Sequence, residues 1–249
     1  MTAFPQTLKT WRKAKRFSQL ALAVEADVSS RHISFLETGR ARPSREMISR
    51  LGDAMQLPLA ARNQMLTHAG FAARYPGRTW DAEEMAPIRA AVDHTLTSHA
   101  PYPALAIDRL WTIVRMNRPA ALLFGQLGVG ENDSLLELMT SDSLPGVVEN
   151  WPEVAHHVAQ RLRTESAAQG GVEALDQAAD RLGQVPQGEP QAPLPIVPTI
   201  LRTGDQRLSM FSTIAQFGTP EDLTLDDLKI ELYFPTDAAT KAMFESLGG

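Results

Sequence analysis

Cysteine is absent from the 249 residues. That excludes disulfide scaffolds and cysteine-ligated zinc or iron–sulfur centres, and makes a reducing cytoplasm the expected compartment. Long apolar runs are missing as well. None approaches the ~20 residues of a membrane span, so no membrane partner is expected. The N-terminal "MTAFPQTLKTWRKAKR" is basic but is followed by no apolar h-region, so no secretory signal is expected either. Catalytic signatures are lacking: the chain has no HExxH, no P-loop and no GxSxG. "GQLGVG" at 125–130 spaces its glycines but follows no strand and opens no helix, so a dinucleotide reading fails. His156 and His157 are adjacent, which on a helix turns them about 100° apart and keeps them from sharing a metal. No cofactor, no metal and no enzymatic activity are expected.

What is present is unevenly placed. Hydrophobic residues make up 43% of the chain, enough for a buried core. The net charge of −5 argues against a nucleic-acid partner. Its distribution reverses that argument. Residues 1–75 hold 12 Lys/Arg against 5 Asp/Glu, a balance of +7, and residues 76–249 hold 12 against 24, a balance of −12. Such asymmetry points to a basic module that meets a polyanion, joined to an acidic one that does not.

The first 70 residues read as five short helices with brief turns. Leu8 and Trp11 share a stripe on the first. Ser18, Ser29 and Ser44 are good N-caps for the second, third and fourth. Gly39 and Pro43 close the third, Met47, Ile48, Leu51 and Met55 form one face of the fourth, and Pro58 opens the fifth, which Gly70 ends. Residues 74–80 look like a linker, and 81–99 a connecting helix, bent at Pro87. From about residue 103 the texture changes. "PALAI", "LWTIVRM", "VPTILRT", "QRLSMFSTIAQF" and "LKIELYF" are rich in β-branched and aromatic residues and read as strands. The last alternates, with Leu228, Ile230, Leu232 and Phe234 on one face and Lys229, Glu231 and Tyr233 on the other. Gly204-Asp205 suits a two-residue hairpin turn. "NRPAALLFGQL" capped by Asn117, "ENDSLLELM", "NWPEVAHHVAQRLRTES" and a terminal helix capped by Thr236 or Asp237 read as helices, and the proline-rich 184–198 as a loop. The expected architecture is an all-α domain at 1–73, a linker and connecting helix at 74–100, and an α+β domain at 101–249.

"SSRHISFLETGR", residues 29–40, carries the most information. As a helix it offers only Ile33 and Leu36 to a core, while Ser30, Arg31 and Ser34 form a polar leading face with His32 beside it. With the preceding "SQLALAVEADV" it makes two capped helices joined by a short break. This is the helix-turn-helix plan, in which the second helix enters the major groove by its N-terminal turns. Exposed polar residues in those turns are then the ones that reach base edges.

Residues 7–70 resemble the phage-repressor-type helix-turn-helix of the xenobiotic-response-element (XRE) class of bacterial regulators. The likeness rests on Arg12, "SQxxLA" at 18–23, "VSxxxISxLExGR" at 28–40 and Pro43. It implies double-stranded DNA as partner, with Gln19 touching a phosphate or base, Ser29, Ser30 and Arg31 facing DNA, and Ser34 close behind. It also implies a structural ion pair between Arg12 and Glu37, and a loop carrying Arg40 and Arg42 near the backbone. Asp27 stands where such turns often have glycine, and Asp tolerates left-handed backbone better than most residues. By chemistry Arg31 is the best candidate for direct readout, since Arg pairs bidentately with guanine. Arg40, Arg42 and Lys9 suit phosphate contacts.

"LAIDRLWTIVRMNRPAALLFG" resembles the opening of a PAS-type sensor, and residues 201–235 its closing strands. The order of domains looks like that of regulators with the MmyB-like ligand-binding domain. This implies a PAS-like antiparallel sheet whose helices enclose a cavity for a small apolar effector. Candidates to line it are Trp111, Ile113, Met116, Phe124, Met210, Phe211 and Phe234, each of which reads as plain core before a ligand contact; Asn117 reads as a helix cap before a ligand contact. The functional expectation is a cytoplasmic, homodimeric transcriptional regulator, since one recognition helix reads only a half-site. The alternative is an antitoxin-like interaction protein whose C-terminal half binds another protein through an exposed apolar patch.

Overall fold

Serine hydroxyls start three of the first helices. The computed structural model describes residues 3–187, 195–204 and 206–247. It places α1 at Phe4–Ala14, α2 at Gln19–Glu25, α3 at Ser30–Glu37, α4 at Arg45–Ala54 and α5 at Leu59–His68. Ser18, Ser29 and Ser44 have extended backbone and accept hydrogen bonds from the amides of Ala21, His32 and Met47. Each such cap is worth about 1 kcal/mol, because it satisfies a donor the helix leaves open. The apolar stripes converge: Leu8, Leu22, Ile33, Leu36, Leu51 and Met65 are all 0% exposed. Burying a side chain of this size contributes about 1.5–3 kcal/mol. Asp27, between α2 and α3, has φ of 50°, so the position that glycine often fills is left-handed here too.

The described chain divides into two compact units. One comprises 1–77 with 165–172 and 220–226, the other 78–164, 173–219 and 227–249. In the second unit a 3-10 turn at Glu83–Met85 leads into α6 (Ala86–Ser98). Pro87 lies in the first turn of α6 and does not bend it; its missing amide is harmless there. Val92 and Leu96 are buried. Next come β1 (Ala104–Ile107), β2 (Ile113–Met116), α7 (Arg118–Gly125), α8 (Leu135–Met139), α9 (Leu144–Val147), α10 (Trp151–Ala168) and α11 (Glu173–Gly183). The chain ends with β3 (Thr199–Thr203), β4 (Gln206–Gln216), α12 (Leu223–Asp226), β5 (Lys229–Pro235) and α13 (Ala238–Leu247). Of the proline-rich stretch, 188–194 lie outside the described residues, as does Asp205 of the expected hairpin turn. Thr203 pairs with Gln206 across that turn, and Gly204 has φ of 59°.

All five expected strands are present, and every pairing is antiparallel in the order β2-β1-β5-β4-β3. Asn117 holds the opening hairpin to its flanking helices. Its Oδ1 accepts from the amides of Ala104 and Ala120, and its Nδ2 donates to the carbonyls of Leu96 and Tyr102. It is therefore a cap with all four side-chain hydrogen-bonding positions used. Asp237 caps α13, accepting from the Thr240 amide at 2.7 Å. Helix α11 is not among the elements expected from the sequence, although its Leu175, Ala178, Ala179 and Leu182 repeat at helical spacing and are buried.

The sheet buries residues on both faces. Opposed residues of antiparallel strands share a face. Phe211 opposes Phe234, and the two rings stack with centroids 5.5 Å apart while His99 meets Phe234 edge-on. On the other face Ser212 opposes Tyr233, and Met210 opposes Thr199. Helices α6 and α13 reach the first face through His99 and through Phe244, whose ring meets Tyr102. Helix α7 reaches the second through Phe124, which meets Tyr233.

Candidate functional site

Helix α3 separates two kinds of side chain. Ile33 and Leu36 are fully buried, while Ser30 and Arg31 in its first turn are exposed and Ser34, one turn on, is half-buried. Ser29 uses its hydroxyl to accept from the His32 amide at 3.1 Å, so this side chain is first of all a cap. His32 is half-buried beside the exposed face. Arg31 and Arg40 place their guanidinium carbons 5.2 and 5.9 Å from the centre of the Phe35 ring. Two cations thus lean on one aromatic ring, which attracts them without neutralising them. Arg42 and Lys9 are exposed.

Behind this face lies a charged clasp. Arg12 Nε and Nη2 donate to the two Glu37 oxygens at 2.6 and 3.0 Å, and Nη1 donates to the Phe17 carbonyl at 2.8 Å. The side chains are 10% and 3% exposed. Burial would raise the Glu37 carboxyl, but hydrogen bonds from Arg12 and Gln19 and the nearby positive charges hold it below its ordinary value. Gln19 Nε2 donates to Glu37 at 2.7 Å. The residue that the resemblance sends to DNA is therefore tied by its nitrogen to the clasp.

The second candidate site is a cavity of about 110 Å³ in the C-terminal unit. Helices α7, α8 and α10 supply apolar walls, including Phe124, Leu135 and Val154, and β3, β4 and β5 supply the floor. Of the seven residues expected to line it, Trp111, Phe124 and Met210 do so. Phe211 and Phe234 stack on the opposite face of the sheet. Ile113 is buried core and Met116 is half-buried on β2; neither lines the cavity. The physical reason is the side of the sheet it occupies. The cavity lies over the face of β5 that carries Glu231 and Tyr233, which the alternation marks as polar.

Those polar residues are paired inside. Arg161 Nη2 lies 2.5 Å from Glu231 Oε1, and the Tyr233 hydroxyl donates to Glu231 Oε2 at 2.9 Å. The Arg161 guanidinium sits 4.4 Å from the Trp111 ring centre. Burial, with the Glu231 carboxylate beside it, raises the Tyr233 phenol well above its ordinary 10.0, so it stays a neutral donor. Sequence reasoning missed Arg161, although a signal existed. Trp151, Val154, Val158 and Arg161 fall on one stripe of α10, and an arginine ending an apolar stripe predicts a buried partner for it.

Trp111 itself is strained. It has φ of 62° and is 2% exposed. A bulky residue is a genuine outlier in that region. The turn around it holds the conformation: its amide donates to the Asp108 carbonyl at 3.0 Å, and its carbonyl accepts from Leu135 at 2.9 Å. Asp108 Oδ1 also accepts from the amides of Leu110 and Thr112. The strain sits where a ring must lie over a guanidinium at the cavity wall, the kind of place where such outliers collect.

Two known families match this chain, one over each candidate site's part of the sequence. A helix-turn-helix domain matches residues 3–65. The MmyB-like transcription regulator ligand binding domain matches residues 88–247. No curated protein matches the sequence. Among the described residues no helix is long and apolar enough to cross a membrane. With most of its length in that second match, the chain belongs to the MmyB-like transcription regulator ligand-binding domain family, and it is a transcriptional regulator that carries a DNA-binding helix-turn-helix ahead of a ligand-binding domain.

Proposed function

We propose that α3 reads operator DNA in the major groove through Arg31, with Ser30 and Ser34 beside it, and that the C-terminal cavity takes a small effector with a largely apolar body. Gln19 and Ser29 steady the edge of the reading face, and Arg40 and Arg42 contact phosphates. The observation that carries this reading is the division of α3: its apolar pair is fully buried while its first turn is exposed and cationic. A helix used only for packing has no reason to keep that turn open. The opening hairpin, the helices after it and the three closing strands support a PAS-like description of the C-terminal unit. Its cavity, lined mostly by buried apolar side chains, favours effector sensing over the antitoxin-like alternative, which needs no cavity.

The test begins with duplexes selected from a random pool, ranked by competition binding at fixed salt. Arg31→Ala is expected to lose about 1–3 kcal/mol on the selected site and to relax preference at one base pair. Arg42→Ala is expected to weaken all sequences alike and to reduce the salt slope by about 1. If Arg31→Ala leaves sequence discrimination intact, α3 is not the reading helix.

A further inference from the structure

The unit that holds the helix-turn-helix is not built from the N-terminal chain alone. Residues 165–172 and 220–226 belong to it. The first of these segments is the end of α10 and the turn after it. Ser166 is buried there; its hydroxyl accepts from the Val172 amide at 2.8 Å and its carbonyl from the Gly171 amide at 2.9 Å. The closed turn sets Gly170 at φ of 85° against Trp11 of α1, where a Cβ would overlap the indole atoms Cη2 and Cζ2. Glycine alone suits both the left-handed backbone and the close approach. Trp11 is 6% exposed. The next residue on α1 is Arg12, whose clasp with Glu37 and Gln19 lies behind α3.

The second segment connects β4 to β5. Helix α5 begins after Pro58, which makes no side-chain cap. Asp226 supplies one from far along the chain: its Oδ2 accepts from the Leu59 amide at 2.9 Å. A carboxylate there satisfies an open donor and complements the helix dipole. The Leu223 amide donates to the Pro76 carbonyl at 2.9 Å and fixes the same connection.

Both segments lead along the chain into the cavity wall. Helix α10 runs unbroken from Trp151 to Ala168 and lines the cavity with Trp151, Val154 and Val158. The 220–226 connection stands between β4, which gives Met210 and Ser212 to the floor, and β5, which gives Tyr233. Rigid elements of this kind can carry energetic coupling between sites. We propose that Gly170 on Trp11 and Asp226 on α5 are the contacts that carry the state of the cavity to the helix-turn-helix, with α10 as the rod that reaches Trp11. The inference rests on the reading of this cavity as the effector site and names the contacts through which it regulates.

The test replaces the effector by a side chain. Val158→Phe puts a ring into the cavity from α10; Val154→Phe, one turn earlier on the same wall, serves in its place if that variant does not fold. In the full chain, labelled with fluorotryptophan, the ring is expected to shift the Trp11 fluorine resonance and to change the exchange rate of the Leu59 amide. Affinity for the selected duplex should change by about fivefold or more. Adding Gly170→Ala and Asp226→Ala parts the two contacts. The affinities with and without the cavity ring should then agree within about twofold. An effect of the ring that survives both substitutions overturns the proposal and leaves the cavity as the effector site. So does a change in affinity with the Trp11 resonance or the Leu59 exchange unmoved, a result that decides the matter even if the combined variant does not fold. An affinity that the cavity ring leaves unchanged overturns the proposal and the effector reading together.

Discussion

Single side chains in this protein do more than their position in a helix suggests. Glu37 accepts from Arg12 twice and from Gln19 once, so one carboxylate joins α1, α2 and α3. Its carboxyl is held below the ordinary 4.5 in the folded chain. A depressed value means that the stabilisation is fully present above the unfolded value and is lost as pH falls through the folded one. The urea midpoint of the N-terminal unit, read from the Ile33 and Leu36 methyls, is expected to hold from pH 7 to about 5 and then to fall. In Glu37→Gln it should start lower, since leaving a buried cation without its partner costs about 3–5 kcal/mol. Its further acid loss should then be smaller. An identical acid profile in the two proteins would show that Glu37 is not the group responsible. Phe35, with Arg31 and Arg40 against its ring, shows the same economy in a half-buried side chain.

The helix-turn-helix element depends on the break between α2 and α3. The Val28 amide donates to the Ala23 carbonyl at 2.8 Å, which closes the turn only if Asp27 accepts left-handed backbone at φ of 50°. A non-glycine residue there costs on the order of 1–2 kcal/mol, and less for Asp. Asp27→Gly is therefore expected to raise the thermal midpoint of the N-terminal unit. Asp27→Val, β-branched and intolerant of positive φ, should lower it and weaken DNA binding together. Equal midpoints for the Gly and Val variants would mean that the turn carries no strain. In the sheet the comparable element is β5, which separates an aromatic layer from the cavity. Its period of two is plain from sequence. Which face holds the site is not, because a buried ion pair inverts the usual meaning of a polar face.

At the level of the regulator, DNA reading and effector control are linked. One α3 spans only a half-site, so two copies are expected on a site whose halves repeat about 34–36 Å apart. Sedimentation of the chain with selected duplexes should give two chains per site, and altering the half-site spacing by half a helical turn should abolish the second. Effector control further requires that ligand bind one arrangement of the regulator better than another. Operator affinity measured with and without a saturating cavity ligand should therefore differ. One chain per operator would remove the dimer, and unchanged affinity would remove the coupling while leaving DNA reading in place.

Local chemistry alone specifies much of this fold. Serines followed by helical apolar spacing mark where α2, α3 and α4 begin, because a hydroxyl satisfies helix-start amides whatever packs behind. Alternating β-branched and aromatic runs mark all five strands, since a pleated surface asks for them locally. The exposed first turn of α3 is legible for the same reason: only two residues of that helix can be buried. The cavity is different. Arg161 and Glu231 are 70 positions apart, and nothing in either neighbourhood names the other. Only the docking of α10 on β5 brings them to 2.5 Å. That docking turns a strand face that looks solvent-ready into the charged floor of a pocket, because an opposite charge at contact offsets the loss of water.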